Sequence, residues 1–194
     1  MDASLIGATN DTPSTLNVPS FVQVYICWHG INLLYPRWPM TASMNQAKGT
    51  GMRLATWNLW WRFGPWSGRQ EAIKSVLSEL DADIIALQEV WFTDEMNQAE
   101  VLASELGYHF QFVPSPAPQK WQNRINDDTI GIGNAVVSRW PIVSTKTLRL
   151  PAGDAIDEGR VAIHTMIDTP HGLVPLTTTH LNVQARSGAG TLEL

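Results

Sequence analysis

Residues 53–90 read RLATWNLWWRFGPWSGRQEAIKSVLSELDADIIALQEV, and the reading of this stretch decides the fold. Arg53–Trp57 suits a short strand. Residues 58–68, NLWWRFGPWSG, place three Trp and one Phe among turn formers, as a loop does. In residues 69–80, RQEAIKSVLSEL, the apolar positions Ala72, Ile73, Val76, Leu77 and Leu80 recur at helical spacing and share one face. Asp81 to Asp83 breaks that helix. Ile84–Leu87 is a short apolar run of the kind that forms a buried strand. Strand, helix and strand in that order make a crossover unit, whose two strands run parallel.

Downstream, Thr93 can cap a second helix, with Asp94 and Glu95 in its first turn and Gly107 just past its end. After Gly107 the pattern turns to strands: Tyr108–Val113, Ile132–Ser138, Val143–Leu150, Arg160–Ile167 and Leu173–Thr179. Pro114 to Asp128 reads as a polar, Pro-rich loop. Thr169 to Gly172 is a hairpin turn, and Pro175 in the returning strand marks an edge or a bulge. No internal repeat is present. The class is α/β, one crossover unit followed by antiparallel strands.

Upstream the material is different. Residues 1–20 are rich in Ser, Thr, Asn and Pro without a period. Residues 21–35, FVQVYICWHGINLLY, are apolar but interrupted by Gln23, His29, Gly30 and Asn32. They lack the basic n-region of a signal peptide. Residues 1–51 carry Asp2, Asp11, Arg37 and Lys48 and balance to zero, so the whole net charge of −5 falls on residues 52–194. We expect residues 1–51 to be an irregular N-terminal extension and residues 52–194 to be the domain. Met40, Met44 and Met52 stand as alternative starts to Met1.

The totals exclude several classes. At 194 residues with 44% hydrophobic content the chain can bury a core. The charge of −5 argues against a general nucleic-acid coat protein, though not against a local phosphate site. Cys27 is the one cysteine, which rules out an internal disulfide and leans toward the cytoplasm. No run of about 20 apolar residues could cross a bilayer.

The crossover unit also predicts where chemistry can occur. The C-terminal ends of two parallel strands lie on one sheet edge, where ligands bind in open α/β sheets. Asn58 follows the first strand and Glu89 the second. A carboxylate there can hold a hard cation such as Mg²⁺, which takes one or two protein carboxylates and keeps several waters. An adjacent Asn amide can orient a phosphate or a water. The plainer alternatives are a solvated Glu89 and a turn-forming Asn58. His180 ends the last strand, in TTTHLN, and either donates to a phosphate or caps the strand end. Arg160, in DEGR, either clamps a phosphate or pairs with Asp157 or Glu158 at the surface. His164 alternates with Val161, Ile163 and Ile167 and reads as structural. Trp60, Trp61 and Trp66 either stack bases or touch lipid head groups, or pack the loop over the core.

In order along the chain stand ATWNLWW (55–61), ALQEVW (86–91), GIGNAVVSRWPI (131–142), EGR (158–160) and TTTHLN (177–182). The series resembles the endonuclease/exonuclease/phosphatase superfamily with its deoxyribonuclease-like fold. That resemblance implies a two-sheet α/β sandwich with helices outside. It also implies cleavage of a phosphate ester by water with Mg²⁺ or Mn²⁺, most naturally by a phosphodiesterase or nuclease. By the same resemblance Glu89 looks like the metal ligand and Asn58 the supporting amide. His180 looks like the donor to the scissile phosphate, Arg160 is similar to a phosphate contact, and Asn134 has structural or substrate-rim duty. The substrate would be a phosphodiester, either nucleic acid or a phospholipid head group.

The family continues after the THL segment with a GDFN-like and then an SDH-like segment, and this sequence has neither. A sandwich of this type needs roughly 250 residues. We therefore expect the N-terminal portion of such a domain, weakly active or inactive alone, with a separate chain as a possible source of the rest. The tail VQARSGAGTLEL lacks the amphipathic pattern that would continue the fold. The alternative is a non-enzymatic module that binds nucleic acid, lipid or a partner chain through the Trp-rich loop.

Overall fold

The computed structural model describes residues 22–27, 51–151 and 159–181. Eleven elements follow one another in these residues: β1 (Val22–Cys27), β2 (Met52–Asn58), α1 (Trp66–Leu80), β3 (Ile84–Phe92), α2 (Gln98–Leu106), β4 (His109–Pro114), α3 (Gln119–Ile125), β5 (Gly131–Ser138), β6 (Ile142–Arg149), β7 (Val161–Thr169) and β8 (Gly172–Thr179). They build two sheets. The larger has the order β1-β2-β3-β5-β4 and the smaller the order β6-β7-β8. β1, β2 and β3 run parallel, whereas β5 pairs antiparallel with both β3 and β4. The smaller sheet is antiparallel throughout. This is the two-sheet α/β arrangement expected from the sequence.

Burial explains why the larger sheet lies in the middle. Every residue of β5, and all but the last of β3, is buried, so these strands are covered on both faces. One face packs on α1 and α2 through Ile73, Leu77, Leu102, Ile85 and Leu87. The other meets the smaller sheet through Met52, Ile84, Val136, Ile163 and Ile167. Full burial of each such aliphatic side chain is worth about 1.5–3 kcal/mol. β7 alternates buried and half-buried residues, as a strand with one covered face must. His164 lies on the less buried set, opposite Val161, Ile163 and Ile167, with its Nδ1 2.8 Å from the Thr177 hydroxyl. Pro175 stands in β8, an edge strand.

The structure corrects the sequence reading in four places. β3 runs five residues beyond Leu87, because β5 keeps pairing with it as far as Phe92. α2 is capped by Asn97 rather than Thr93. The Asn97 side chain accepts from Ala99 N–H at 2.9 Å, while the Thr93 hydroxyl accepts from Glu95 and Met96 in a turn of its own. The segment read as a Pro-rich loop contains α3, whose Trp121 is buried against an aromatic cluster. The stretch read as an irregular extension contains β1, which joins the edge of the larger sheet beside β2. The proposed starts Met40 and Met44, the acidic residues Asp157 and Glu158, and the tail 183–194 lie outside the described residues.

Candidate active site

β2 and β3 pair up to Asn58 and Gln88, so the ends of the parallel strands fall side by side. Immediately after, β3 bulges. Leu87 pairs with Ala135 and Val90 with Gly133, which leaves one extra residue on β3 opposite β5. Glu89 sits in that bulge with φ of 53°, in the left-handed region where a non-glycine residue costs of order 1–3 kcal/mol. The bulge turns a carboxylate into the cleft that a regular strand would direct elsewhere. The loop after β2 stabilises it: Leu59 N–H donates to Gln88 O at 2.8 Å and Trp61 N–H to Glu89 O at 3.0 Å. Trp61 is fully buried, and its indole N–H bonds Gly131 O.

The side chains meet as the parallel-strand geometry requires. Asn58 Oδ1 accepts the Trp60 N–H at 2.9 Å, which leaves Nδ2 to face the cleft. Nδ2 donates to Glu89 Oε1 at 2.9 Å and lies 3.3 Å from His180 Nε2. Arg160 Nη1 is 2.6 Å from His180 Nδ1. A guanidinium can only donate, so Nδ1 accepts and the imidazole proton is on Nε2. Nε2 is 3.6 Å from Glu89 Oε1. Thus all four residues singled out in the sequence, Asn58, Glu89, Arg160 and His180, gather in one place from β2, β3 and the two ends of the β7–β8 hairpin.

Other residues frame the cleft. Asn134 is buried, donates to Val161 O at 3.0 Å and lines the site beside Arg160. Gly133 faces the β4 backbone so closely that a side chain would meet Val113 O. Gly159, with φ of 64°, sits against Ser115 and Ala117 and lets the chain turn into Arg160. The Arg160 guanidinium lies 5.4 Å from the Trp121 ring centre. Burial lowers the pKa of Arg160 and of Arg69, and the negative field of Glu89 works against that shift in both.

Sequence reasoning missed three contributors. Gln88 is buried and its amide links Thr56 in β2 to Thr178 in β8, which ties the two sheets together two residues before His180. Trp121 supports Arg160 and was hidden in the expected loop. The spacing of Trp121 and Ile125 was the available signal for α3. Arg69 donates to the carbonyls of Trp60, Trp61 and Phe63 and holds the Trp loop in shape.

The comparisons with known proteins can be set beside this geometry. The profile described as Endonuclease/Exonuclease/phosphatase family matches residues 55–187. The chain belongs to the endonuclease/exonuclease/phosphatase family. Solved structures agree in fold. An endonuclease/exonuclease/phosphatase from Beutenbergia cavernae is 23% identical with a TM-score of 0.56, over 68% of this chain and 38% of that one. A protein of the endonuclease/exonuclease/phosphatase family from Leptotrichia buccalis is 17% identical with a TM-score of 0.55, over 70% and 57%. The human Nocturnin catalytic domain, solved with a bound sulfate anion, is 24% identical with a TM-score of 0.56, over 70% and 51%. The chain thus spans between 38% and 57% of these family structures. No curated protein is significantly similar to it. Among the described residues no helix is long and apolar enough to cross a membrane.

Proposed function

We propose that this chain carries the metal-binding and phosphate-holding part of a phosphodiesterase that uses Mg²⁺ or Mn²⁺. One observation carries the reading. Glu89 Oε1 is satisfied by Asn58, but Glu89 Oε2 is buried with no hydrogen-bond partner. A buried carboxylate oxygen left unpaired is costly unless a cation meets it. Among the described residues no three His, Cys, Asp or Glu side chains cluster. That donor set fits a hard ion held by one carboxylate, waters and substrate phosphate, and does not fit a zinc site.

Glu89 would hold the ion, with Asn58 fixing the carboxylate through Oε1. When bound there, a divalent cation offsets the charge that develops on the phosphoryl oxygens. His180 presents the Nε2 proton to a phosphate oxygen, and Arg160 serves the phosphate side by holding the ring and its tautomer. Such fixed donors act in a partly buried cleft, where they are worth more than in water. Gly133 and Gly159 line the cleft and let it pack closely, Gly133 against β4 and Gly159 against Ser115 and Ala117.

The test is a Mn²⁺ titration of the 194-residue chain followed by electron paramagnetic resonance. We expect stoichiometric binding that Glu89→Gln abolishes and Asn58→Ala weakens by about 10–100-fold, as loss of an outer-shell partner does. Hydrolysis of an activated phosphodiester by the 194-residue chain is expected to be slow, because among the described residues Glu89 is the one carboxylate that lines the cleft, and the reaction also needs water activation. Equal Mn²⁺ affinity in the parent chain and Glu89→Gln would refute the reading.

A further inference from the structure

The face of the larger sheet that meets the smaller one changes character along its strands. In β2 this face carries Met52 and Leu54, then Thr56, then Asn58 at the cleft. β8 repeats the order with Val174 and Leu176, then Thr178, with His180 just past its end. In β3, Ile84 and Ala86 precede Gln88. Side chains two apart share a face of a strand, so the apolar contact gives way to a polar row one step before the site. The bulge completes that row. Leu87 and Val90 both pack in the helix-side core, which leaves two successive polar residues, Gln88 and Glu89, between them.

One side chain joins the row. Gln88 is 8% exposed, and its Nε2 donates to Thr56 Oγ1 at 3.1 Å within the larger sheet and to Thr178 Oγ1 at 3.2 Å across to the smaller one. Thr178 is buried as well. An apolar interface is non-directional. A buried amide makes its hydrogen bond in one register and costs stability when left unpaired. That register is felt at the cleft, because Asn58 and Glu89 belong to the larger sheet while His180 follows β8, and the two sides meet where His180 Nε2 lies 3.3 Å from Asn58 Nδ2. The other end of the β7–β8 hairpin has its own anchor, the bond from Asn134 Nδ2 to Val161 O at 3.0 Å beside Arg160.

We propose that Gln88 is a positioning residue, which through Thr178 sets where the His180 ring stands against Asn58 and Glu89. This goes beyond the phosphodiesterase reading and invokes neither metal nor substrate. The tautomer of His180 reports on it. Arg160 Nη1 meets His180 Nδ1 at 2.6 Å and thereby keeps the ring proton on Nε2. If the His180 end of the hairpin loses its anchor, that contact loosens and the proton is no longer confined to one nitrogen.

The test is the nitrogen-15 NMR spectrum of the His180 ring in the 194-residue chain, in EDTA and at a pH where the ring is neutral. The parent should show one tautomer, protonated on Nε2. Thr178→Val removes the acceptor on the smaller sheet and should give a mixture of both tautomers. Thr56→Val removes an acceptor of the same amide within the larger sheet, and it should lower the urea midpoint by a similar amount yet leave the His180 spectrum as in the parent. Thr178→Ser keeps the hydroxyl and should keep the single tautomer. Gln88→Met removes the amide itself and should reproduce the Thr178→Val spectrum, so the result does not hang on the folding of one variant. A parent-like His180 spectrum in either Thr178→Val or Gln88→Met, or a mixture in Thr56→Val as well, would overturn the proposal and leave the amide as a stabiliser of the interface. The measurement is made without metal, so its failure and a failed Mn²⁺ titration are separate results.

Discussion

The two ends of the larger sheet carry charged residues from the same strands, and they are built to opposite ends. At the N-terminal ends of β2 and β3, Asp83 Oδ2 accepts the Arg53 N–H at 2.8 Å and Oδ1 accepts from Arg139 Nε at 3.0 Å. Asp81 accepts from Arg139 Nη2 at 2.6 Å and from the Arg53 guanidinium. Arg53 also reaches Leu80 O, and Asp83 and Arg139 bond neighbouring backbone. The left-handed residue here, Asp81, closes α1, a place where that conformation is common. At the other end Glu89, Trp60 and Trp61 all have positive φ, and a buried carboxylate oxygen is unpartnered. One end spends its charges joining strands. The other accepts strain and an unmet acceptor, which persist because the surrounding packing over-determines them.

The largest test of that contrast is the residue that does the over-determining. Trp61→Ala removes a fully buried indole and its bond to Gly131 O. We expect a loss of about 3–5 kcal/mol in denaturant unfolding, with loss of Mn²⁺ binding as the bulge relaxes. Trp60→Ala, one residue away, should stay within about 0.5 kcal/mol of the parent chain. Similar stability losses in the two variants would mean that the loop does not brace the bulge.

The same contrast explains what could be read in the sequence. Asn58 and Glu89 were legible because a crossover unit forces two strand ends onto one edge, whatever their side chains contact. Gly107 was legible as a helix stop because its φ of 68° suits glycine. The bulge was not legible. It depends on β5 pairing across Leu87 and Val90, a register between strands more than 40 residues apart. The role of Arg160 was hidden for a similar reason. Its partner on His180 comes from the far end of the β7–β8 hairpin, and local sequence favoured a surface pair with Asp157 or Glu158 instead. Trp121 was hidden because Pro114 and Pro118 make its segment read as loop, although Pro118 caps α3.

A single chemical change applied at both ends sharpens the comparison. Asp83→Asn puts an amide donor against Arg53 N–H or Arg139 Nε, and the Asp83 side chain is only 15% exposed. We expect a cost of about 1–3 kcal/mol and unchanged Mn²⁺ affinity. Glu89→Gln at the other end should abolish Mn²⁺ binding yet alter stability by no more than about 0.5 kcal/mol, because it removes a charge that no cationic hydrogen bond satisfies. Paired thermal melts and Mn²⁺ titrations give the four values. A Glu89→Gln variant as destabilised as Asp83→Asn would make Glu89 a structural residue.

The smallest effect is the most direct probe of the satisfied end. Burial pushes the Asp81 carboxyl upward, but the hydrogen bonds from Arg139 and Arg53 outweigh it and hold its pKa below the ordinary aspartate value. A lowered folded pKa stabilises above the unfolded pKa of about 3.9 and is lost as pH falls through the folded value. Asp81→Asn tolerates the left-handed backbone, so the substitution tests the charge rather than the conformation. The variant should therefore be less stable than the parent near pH 7, and the two should converge below about pH 4. The Asp81 side chain is 43% exposed, so solvent screening keeps the difference under about 1 kcal/mol. It should shrink further in 0.5 M salt, where the Debye length falls below about 8 Å. A gap that holds constant from pH 7 to pH 3 would show that the ion pairs contribute nothing, and that backbone bonds alone join this end of the sheet.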